Sequence, residues 1–306
     1  MRIEPRSISI KEVGPRDGLQ NESVFVDTQD KIAWINQLSH TGLSYIEITS
    51  FVHPKWIPAL ADAVEVAQGI ERVPGVTYGA LVPNARGLER ALAANIDEVS
   101  IFLSASEGHN QSNINKSIAE TLPILAETAR DALAAGKSVR GYVSTVFGCP
   151  YEGAVPVENV IRVTEALFEM GVREVSLGDT IGVANPRQVH DVLEVLLKHF
   201  DAAQLAMHFH DTRGMAMANV LTSIEMGMSI FDSSVGGLGG CPYAPGASGN
   251  LATDDLLYML EGMGMKTGVD AEKLIAAALF IQPKMGRTLP SHNMQACQPS
   301  KQKNPR

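Results

Sequence analysis

The sequence predicts a (β/α)8 TIM barrel of the α/β class with an extra C-terminal helical region. Three observations predict it. Eight short, mostly apolar runs recur along the 306 residues, each followed by a segment of helical periodicity. No Pro/Ser-rich linker interrupts the alternation, so residues 1–306 read as one catalytic domain with a polar tail from about 290. No G-x-G-x-x-G follows the first run and no Walker A motif occurs, which weakens the rival reading, an open doubly wound sheet.

The strand candidates are Ser7–Val13, Tyr45–Thr49, Thr77–Val82, Glu98–Leu103, Val139–Thr145, Glu174–Leu177, Leu205–His210 and Ile230–Val235. Strands covered on both faces show such continuous runs rather than strict alternation. The intervening segments 28–41, 56–70, 85–94, 117–135, 157–170, 186–200 and 214–227 read as crossover helices. In 186–200, Val189, Val192, Leu193, Leu196, Leu197 and Phe200 form one apolar stripe. Asn185 suits the cap there and Pro186 the first turn. In 157–170 the stripe is Val160, Val163, Leu167 and Met170, with Gly171 as the stop. Segments 250–262 and 270–281 close the series.

Hydrophobic residues make up 45% and charged residues 19% of the chain, enough for a large core. A net charge of −9 argues against non-specific binding to nucleic acid or to anionic membrane. Aromatic residues, at 6%, form no basic-interleaved stacking pattern. No window of 18 apolar residues is present, so no transmembrane span is expected. Cys149, Cys241 and Cys297 form no C-x-x-C, which favours a reducing compartment. With no apolar leader visible, a cytoplasmic location is expected.

Polar residues gather where the runs end, which in a barrel is the active-site rim. The first run ends in Gly14-Pro15-Arg16-Asp17-Gly18, and the second carries Glu47 inside an apolar stretch. The sixth ends in Gly178-Asp179-Thr180 and the seventh in His208-Phe209-His210-Asp211. The eighth enters Gly236–Asn250, where six glycines surround Cys241. Glycine is costly inside a packed element, so this segment reads as a mobile loop carrying a thiol. His208 and His210, two apart on a strand, face one side. With Asp17 and Asn250 they offer two nitrogens and two oxygens to a divalent metal. Plainer readings stand beside these. Glu47 pairs with Arg16 in the core, Asp179 caps the following segment, and Cys241 and Cys149 are small buried groups.

Longer stretches resemble a known family. They are Gly14–Glu22 (GPRDGLQNE), Ser50–Trp56 (SFVHPKW), Gly141-Tyr142-Val143, Ser176–Gly182 (SLGDTIG) and Asp232–Leu260. Together they resemble the 3-hydroxy-3-methylglutaryl-CoA lyases, over residues 7 to 282. The cysteine-loop motif is the specific one; the R-D-G element is shared with other metal-dependent barrel lyases and synthases. The resemblance implies a carbon–carbon lyase that cleaves (S)-3-hydroxy-3-methylglutaryl-CoA to acetoacetate and acetyl-CoA by metal-assisted retro-Claisen chemistry. It implies Mg2+ or Mn2+ on Asp17, His208, His210 and Asn250, a catalytic Arg16 and a loop Cys241. Glu47 and Asp179 match acidic active-site positions, and His208 or Asp17 are candidates to pass the first proton. A homodimer is implied as well. Asp254 stands where animal members carry Glu, and Ser23 where some carry Lys. The alternatives are a lyase for a longer 3-hydroxy-3-alkylglutaryl-CoA, such as an isohexenyl one, and a Claisen-type acyl-CoA synthase. Lys55, Arg86, Lys284 and Arg287 are candidates for the CoA phosphates.

Overall fold

The computed structural model describes residue 4, residues 6–241 and residues 244–297, the side chains of 241 and 244–248 excepted. Its strands are β1 (Ser9–Glu12), β2 (Tyr45–Ser50), β3 (Thr77–Leu81), β4 (Glu98–Ser104), β5 (Ser138–Ser144), β6 (Glu174–Asp179), β7 (Leu205–Phe209) and β8 (Ile230–Ser233). Each is parallel to the next, and β1 pairs with β8 from Ser9 opposite Ile230 to Glu12 opposite Ser233. The sheet is therefore a closed barrel, as the run count predicts, and closure leaves no sheet edge exposed.

Crossover helices cover the outside. Helix Pro186–Leu196 buries Val189, Leu193 and Leu196, and the Asn185 side chain accepts the Gln188 N–H at 3.1 Å. Helix Ile118–Ala134 starts with a reciprocal cap between Ser117 and Glu120. Two further helices differ from the sequence reading. Glu107–Ile114 has no apolar stripe, yet Ser106 caps it through the His109 N–H. His292–Cys297 forms where a polar tail was expected. There Asp255 accepts the backbone N–H groups of His292 and Asn293, at 3.0 and 2.6 Å, while Met294 anchors the helix in the core.

The glycine-rich segment also differs. Gly240–Cys241 (β9) and Ala244–Ser248 (β10) pair antiparallel as a small hairpin above the barrel. Gly239 and Gly249 close its base. Gly239 adopts φ +110°, and a side chain on Gly249 would collide with the Gly239 carbonyl that accepts its own N–H at 2.9 Å.

Most barrels fill their interior with branched apolar side chains. Here charged groups reach across it between strands that are not neighbours. Arg140 on β5 meets Asp232 on β8 at 2.7 Å. Lys11 on β1 reaches Glu174 on β6 at 3.6 Å, and Tyr142 on β5 donates to Glu47 on β2 at 3.1 Å. Apolar packing is displaced to the layer between strands and helices, where Trp34, Ile46, Phe209 and Phe231 are fully buried.

Glu12, at the end of β1, ties the rim together. Its carboxylate accepts from Gly14 N, Val235 N and the Thr253 hydroxyl, at 2.8, 2.9 and 2.6 Å. Burial raises this carboxyl from 4.5 to about 7, against those three hydrogen bonds. The folded protein therefore holds the proton more tightly than the unfolded chain. The contribution of Glu12 to stability is fully present below about pH 4.5 and is lost as pH rises through about 7, a change of up to about 3 kcal/mol. Glu12→Gln is expected to remove that part of the pH dependence. Guanidinium unfolding at pH 5 and pH 8, with EDTA present, measures it; equal losses in both proteins would contradict the assignment.

Candidate active site

The turn after β1 is wide: Arg16, Asp17 and Gly18 all direct their N–H groups to the Val13 carbonyl, at 3.1, 2.7 and 3.3 Å. Gly18 packs against Leu238 at the base of the hairpin, where an added Cβ would lie 3.0 Å from the Leu238 Cβ. This turn brings Arg16 and Asp17 over the barrel mouth. Arg16 Nε donates to Glu47 Oε2 at 2.5 Å, and its Nη1 donates to Asp17 Oδ1. The guanidinium lies over the Tyr142 ring, 5.2 Å from its centroid. Burial works against the Arg16 charge, but Glu47 and Asp17 outweigh it and raise its pKa further.

Asp17 is the centre of the cluster. Its Oδ1 also accepts from Gln20 at 2.8 Å, and its Oδ2 from the Asn250 amide at 2.9 Å. His208 Nε2 lies 3.7 Å and His210 Nε2 4.0 Å from the same Oδ2. Burial alone would raise the Asp17 carboxyl; Arg16 and the two imidazoles hold it at about 2 instead. Burial, with His208 alongside, pushes His210 down to about 4, so that ring is neutral at pH 7. His208 goes the other way: burial lowers it, but Asp232 and Asp17 carry it above its usual value.

Asn250 arrives from the far side of the hairpin. The returning chain bonds alongside the end of β7, with Leu251 N on Phe209 O at 3.0 Å and Asp211 N on Gly249 O at 2.7 Å. That bridge sets Asn250 opposite His210.

Asp17, His208 and His210 each present a ligand atom within 4.8 Å of the others, a donor set that can hold a divalent metal. One buried atom supports the fit. Asn250 Oδ1 has no hydrogen-bond partner among the described residues, and an orphaned buried acceptor is costly unless something occupies it.

The structure thus brings together Arg16, Asp17, Glu47, His208, His210 and Asn250. Asp179 ends β6, and both its oxygens hold the following loop, through Val183 N at 2.9 Å and Ala184 N at 3.1 Å. Burial raises its carboxyl to about 6, and His208 is close enough to pull it back. The Cys241 side chain lies outside the described residues; its backbone is in β9. Cys149 is buried, and its sulfur receives the Ser106 hydroxyl at 2.9 Å. Among the phosphate candidates, Lys284 pairs with Asp30 at 3.0 Å and Arg287 with Glu22 at 2.5 Å. Arg287 thereby brings a cation to Glu22, the residue before Ser23. Asp254 accepts Gly236 N at 2.7 Å and also the Ser291 hydroxyl, linking the hairpin base to the C-terminal helix. Tyr142, Ser176 and Asp232 lie in the stretches that carry the family resemblance but were given no role there, and Arg140 lies outside those stretches. Their inward positions at every second residue of β5 (Arg140, Tyr142) were the available signal.

A closed (β/α)8 barrel with a buried carboxylate, two imidazoles and an amide at its C-terminal rim defines a barrel enzyme built around a divalent-metal site. A family model described as HMGL-like matches residues 7–281. The hydroxymethylglutaryl-CoA lyase YngG of Bacillus subtilis is 65% identical over 291 residues, 95% of this chain and 97% of that protein. The crystal structure of a Bacillus subtilis HMG-CoA lyase superposes with a TM-score of 0.95 at 64% identity, covering 96% of this chain and 99% of that one. An Acinetobacter baumannii HMG-CoA lyase, solved with coenzyme A and 3-methylmalate, has a TM-score of 0.90 at 40% identity, covering 98% and 97%. The chain belongs to the hydroxymethylglutaryl-CoA lyase family.

His210→Ala is expected to weaken Mn2+ binding more than about tenfold, the scale on which even the partners of ligands contribute. Calorimetric titration of the folded variant checks this; an unchanged affinity would exclude His210 as a ligand.

Proposed function

We propose that this chain is a carbon–carbon lyase that cleaves (S)-3-hydroxy-3-methylglutaryl-CoA to acetoacetate and acetyl-CoA. The observation that carries the reading is the Asp17–His208–His210 donor cluster with Arg16 fixed at its edge, in a chain 65% identical to a hydroxymethylglutaryl-CoA lyase. An acyl-CoA substrate is further supported by the coenzyme A bound in the Acinetobacter relative.

Asp17, His208, His210 and Asn250 are the residues assigned to the cation, Mg2+ or Mn2+ in this reading. When bound, that ion supplies the positive charge that lowers the pKa of the substrate's tertiary hydroxyl and fixes its orientation. The hydroxyl proton is assigned to a water relay, because both His208 nitrogens are committed, Nε2 on the cation side and Nδ1 to Asp232; Asp17, held at about 2, is too weak a base to take it alone. The carbon–carbon bond then breaks, the alkoxide becomes the ketone of acetoacetate, and the bonding pair passes to the acetyl-CoA enolate. Charge accumulates on the thioester oxygen. Arg16 Nε and Nη1 are committed to Glu47 and Asp17, so Nη2 is the donor assigned to that oxygen. Glu47 holds the guanidinium in place and Tyr142 braces Glu47. Asp179 fixes the neighbouring rim loop beside His208. Cys241, carried by the hairpin, is assigned the return of a proton to the enolate carbon. The reading also includes one catalytic domain, a homodimer and a cytosolic location. Cys149 and Cys297, both unpaired thiols, support a reducing compartment. Sedimentation velocity and cell fractionation test the last two.

The deciding experiment incubates the protein with Mg2+ or Mn2+ and the methyl and isohexenyl thioesters in parallel. Acetoacetate is expected from the methyl substrate; preference for the longer thioester, or no cleavage of either, would overturn the assignment. Arg16→Gln is expected to lower kcat by roughly 10²–10³ and Cys241→Ala by roughly 10²–10⁴. A change confined to KM would remove the role from whichever residue showed it.

A further inference from the structure

His208 and Asp232 stand directly opposite each other on the paired strands β7 and β8. Side chains at such positions project to the same face, here the barrel interior. His208 Nδ1 and Asp232 Oδ2 are 3.2 Å apart. Asp232 is fully buried and is itself held from three sides. Arg140 Nη2 donates to its Oδ1 at 2.7 Å, Arg140 Nη1 to its Oδ2 at 3.3 Å, and the Ser176 hydroxyl to Oδ2 at 2.7 Å. Arg140 is fixed in turn by Glu174 at 2.6 Å and by the rings of Tyr142 and Tyr45, 4.8 and 5.6 Å away. None of these groups is among the residues assigned to the cation.

A carboxylate accepts hydrogen bonds and donates none. A ring nitrogen facing it must therefore carry the proton. In the neutral ring, the form that can bind a cation, the other nitrogen, Nε2, keeps its lone pair, and it is Nε2 that lies on the Asp17 side, 3.7 Å from Oδ2. We propose that Asp232 is a positioning residue for the lyase reaction: through Nδ1 it fixes the tautomer and aim of His208, so that Nε2 is the nitrogen presented to the cation. This rests on the metal assignment made above. Arg140 and Ser176 extend the same role, because they hold the carboxylate at the angle that the imidazole meets.

Asp232→Asn separates this role from a purely structural one. The variant keeps the shape of the side chain. Arg140, a donor only, claims the amide oxygen, and the NH2 group turns toward His208. That reverses the polarity of the contact and puts the ring proton on Nε2. Calorimetry with Mn2+ is expected to show affinity falling roughly 10- to 100-fold. Ring ¹H–¹⁵N correlation spectra of the Mg2+-loaded wild type are expected to show the His208 proton on Nδ1, a signature that core packing alone does not produce. A folded Asp232→Asn protein with wild-type Mn2+ affinity overturns the proposal. So does a loaded wild-type ring without a proton on Nδ1, and that measurement decides the matter alone if the variant does not fold. Failure of the wild type to bind Mn2+ would remove the metal assignment itself, and the proposal with it. Tight binding by wild type and variant alike removes only the role of Asp232.

Discussion

Charge buried inside a closed barrel has to be answered by opposite charge, and that constraint organises this molecule. Removing one partner of a fully buried ion pair costs several kcal/mol, because the other is left without solvent or counter-charge. Arg140 and Asp232 are both about 1% exposed. From them a chain of alternating sign runs both ways: down to Glu174 and Lys11, and up through His208, Asp17, Arg16 and Glu47. Each group sits where its neighbour's charge needs it. The setting of His208 at the rim is thus imposed from the strands beneath it. An apolar core would serve stability as well or better, but it would leave the imidazoles free to turn.

The same chain explains the different ionisation of chemically similar groups. Asp17 and Asp179 are both buried carboxyls at strand ends. Asp17 faces a guanidinium and two imidazoles and is held at about 2, whereas burial raises Asp179 to about 6 against its two backbone N–H partners. His210, beside His208 and without a hydrogen-bonded anion, is neutral, while His208 leans on Asp232. Environment has sorted these residues into distinct chemical tasks.

The barrel was legible because each strand is an apolar run with a helical stripe after it, and because closure follows from the number of such units. Arg16, Asp17, His208, His210 and Asn250 were legible because strand ends converge on one rim whatever their separation in sequence. The pairing of Asp232 with Arg140 was not. Each lies within a strand, and the partner that explains it lies across the barrel, so no local pattern marks the pair. The helix Glu107–Ile114 and the helix His292–Cys297 escaped for another reason. Neither carries an apolar stripe, and what starts them is a single capping side chain, Ser106 in one case and the distant Asp255 in the other. The hairpin was hidden by its own composition, since glycines that serve close approach at the base read as irregular chain.

The donors at the rim are spread across the chain: Asn250 meets Asp17 over a separation of 233 residues. A polypeptide still emerging from the ribosome holds only the first carboxylate until the seventh strand has been made, and lacks the amide until the hairpin has turned back. Long-range contacts of this kind form late, after the elements between them are in place. On the reading proposed above, a cation therefore meets its complete donor set only on a barrel that has already shut.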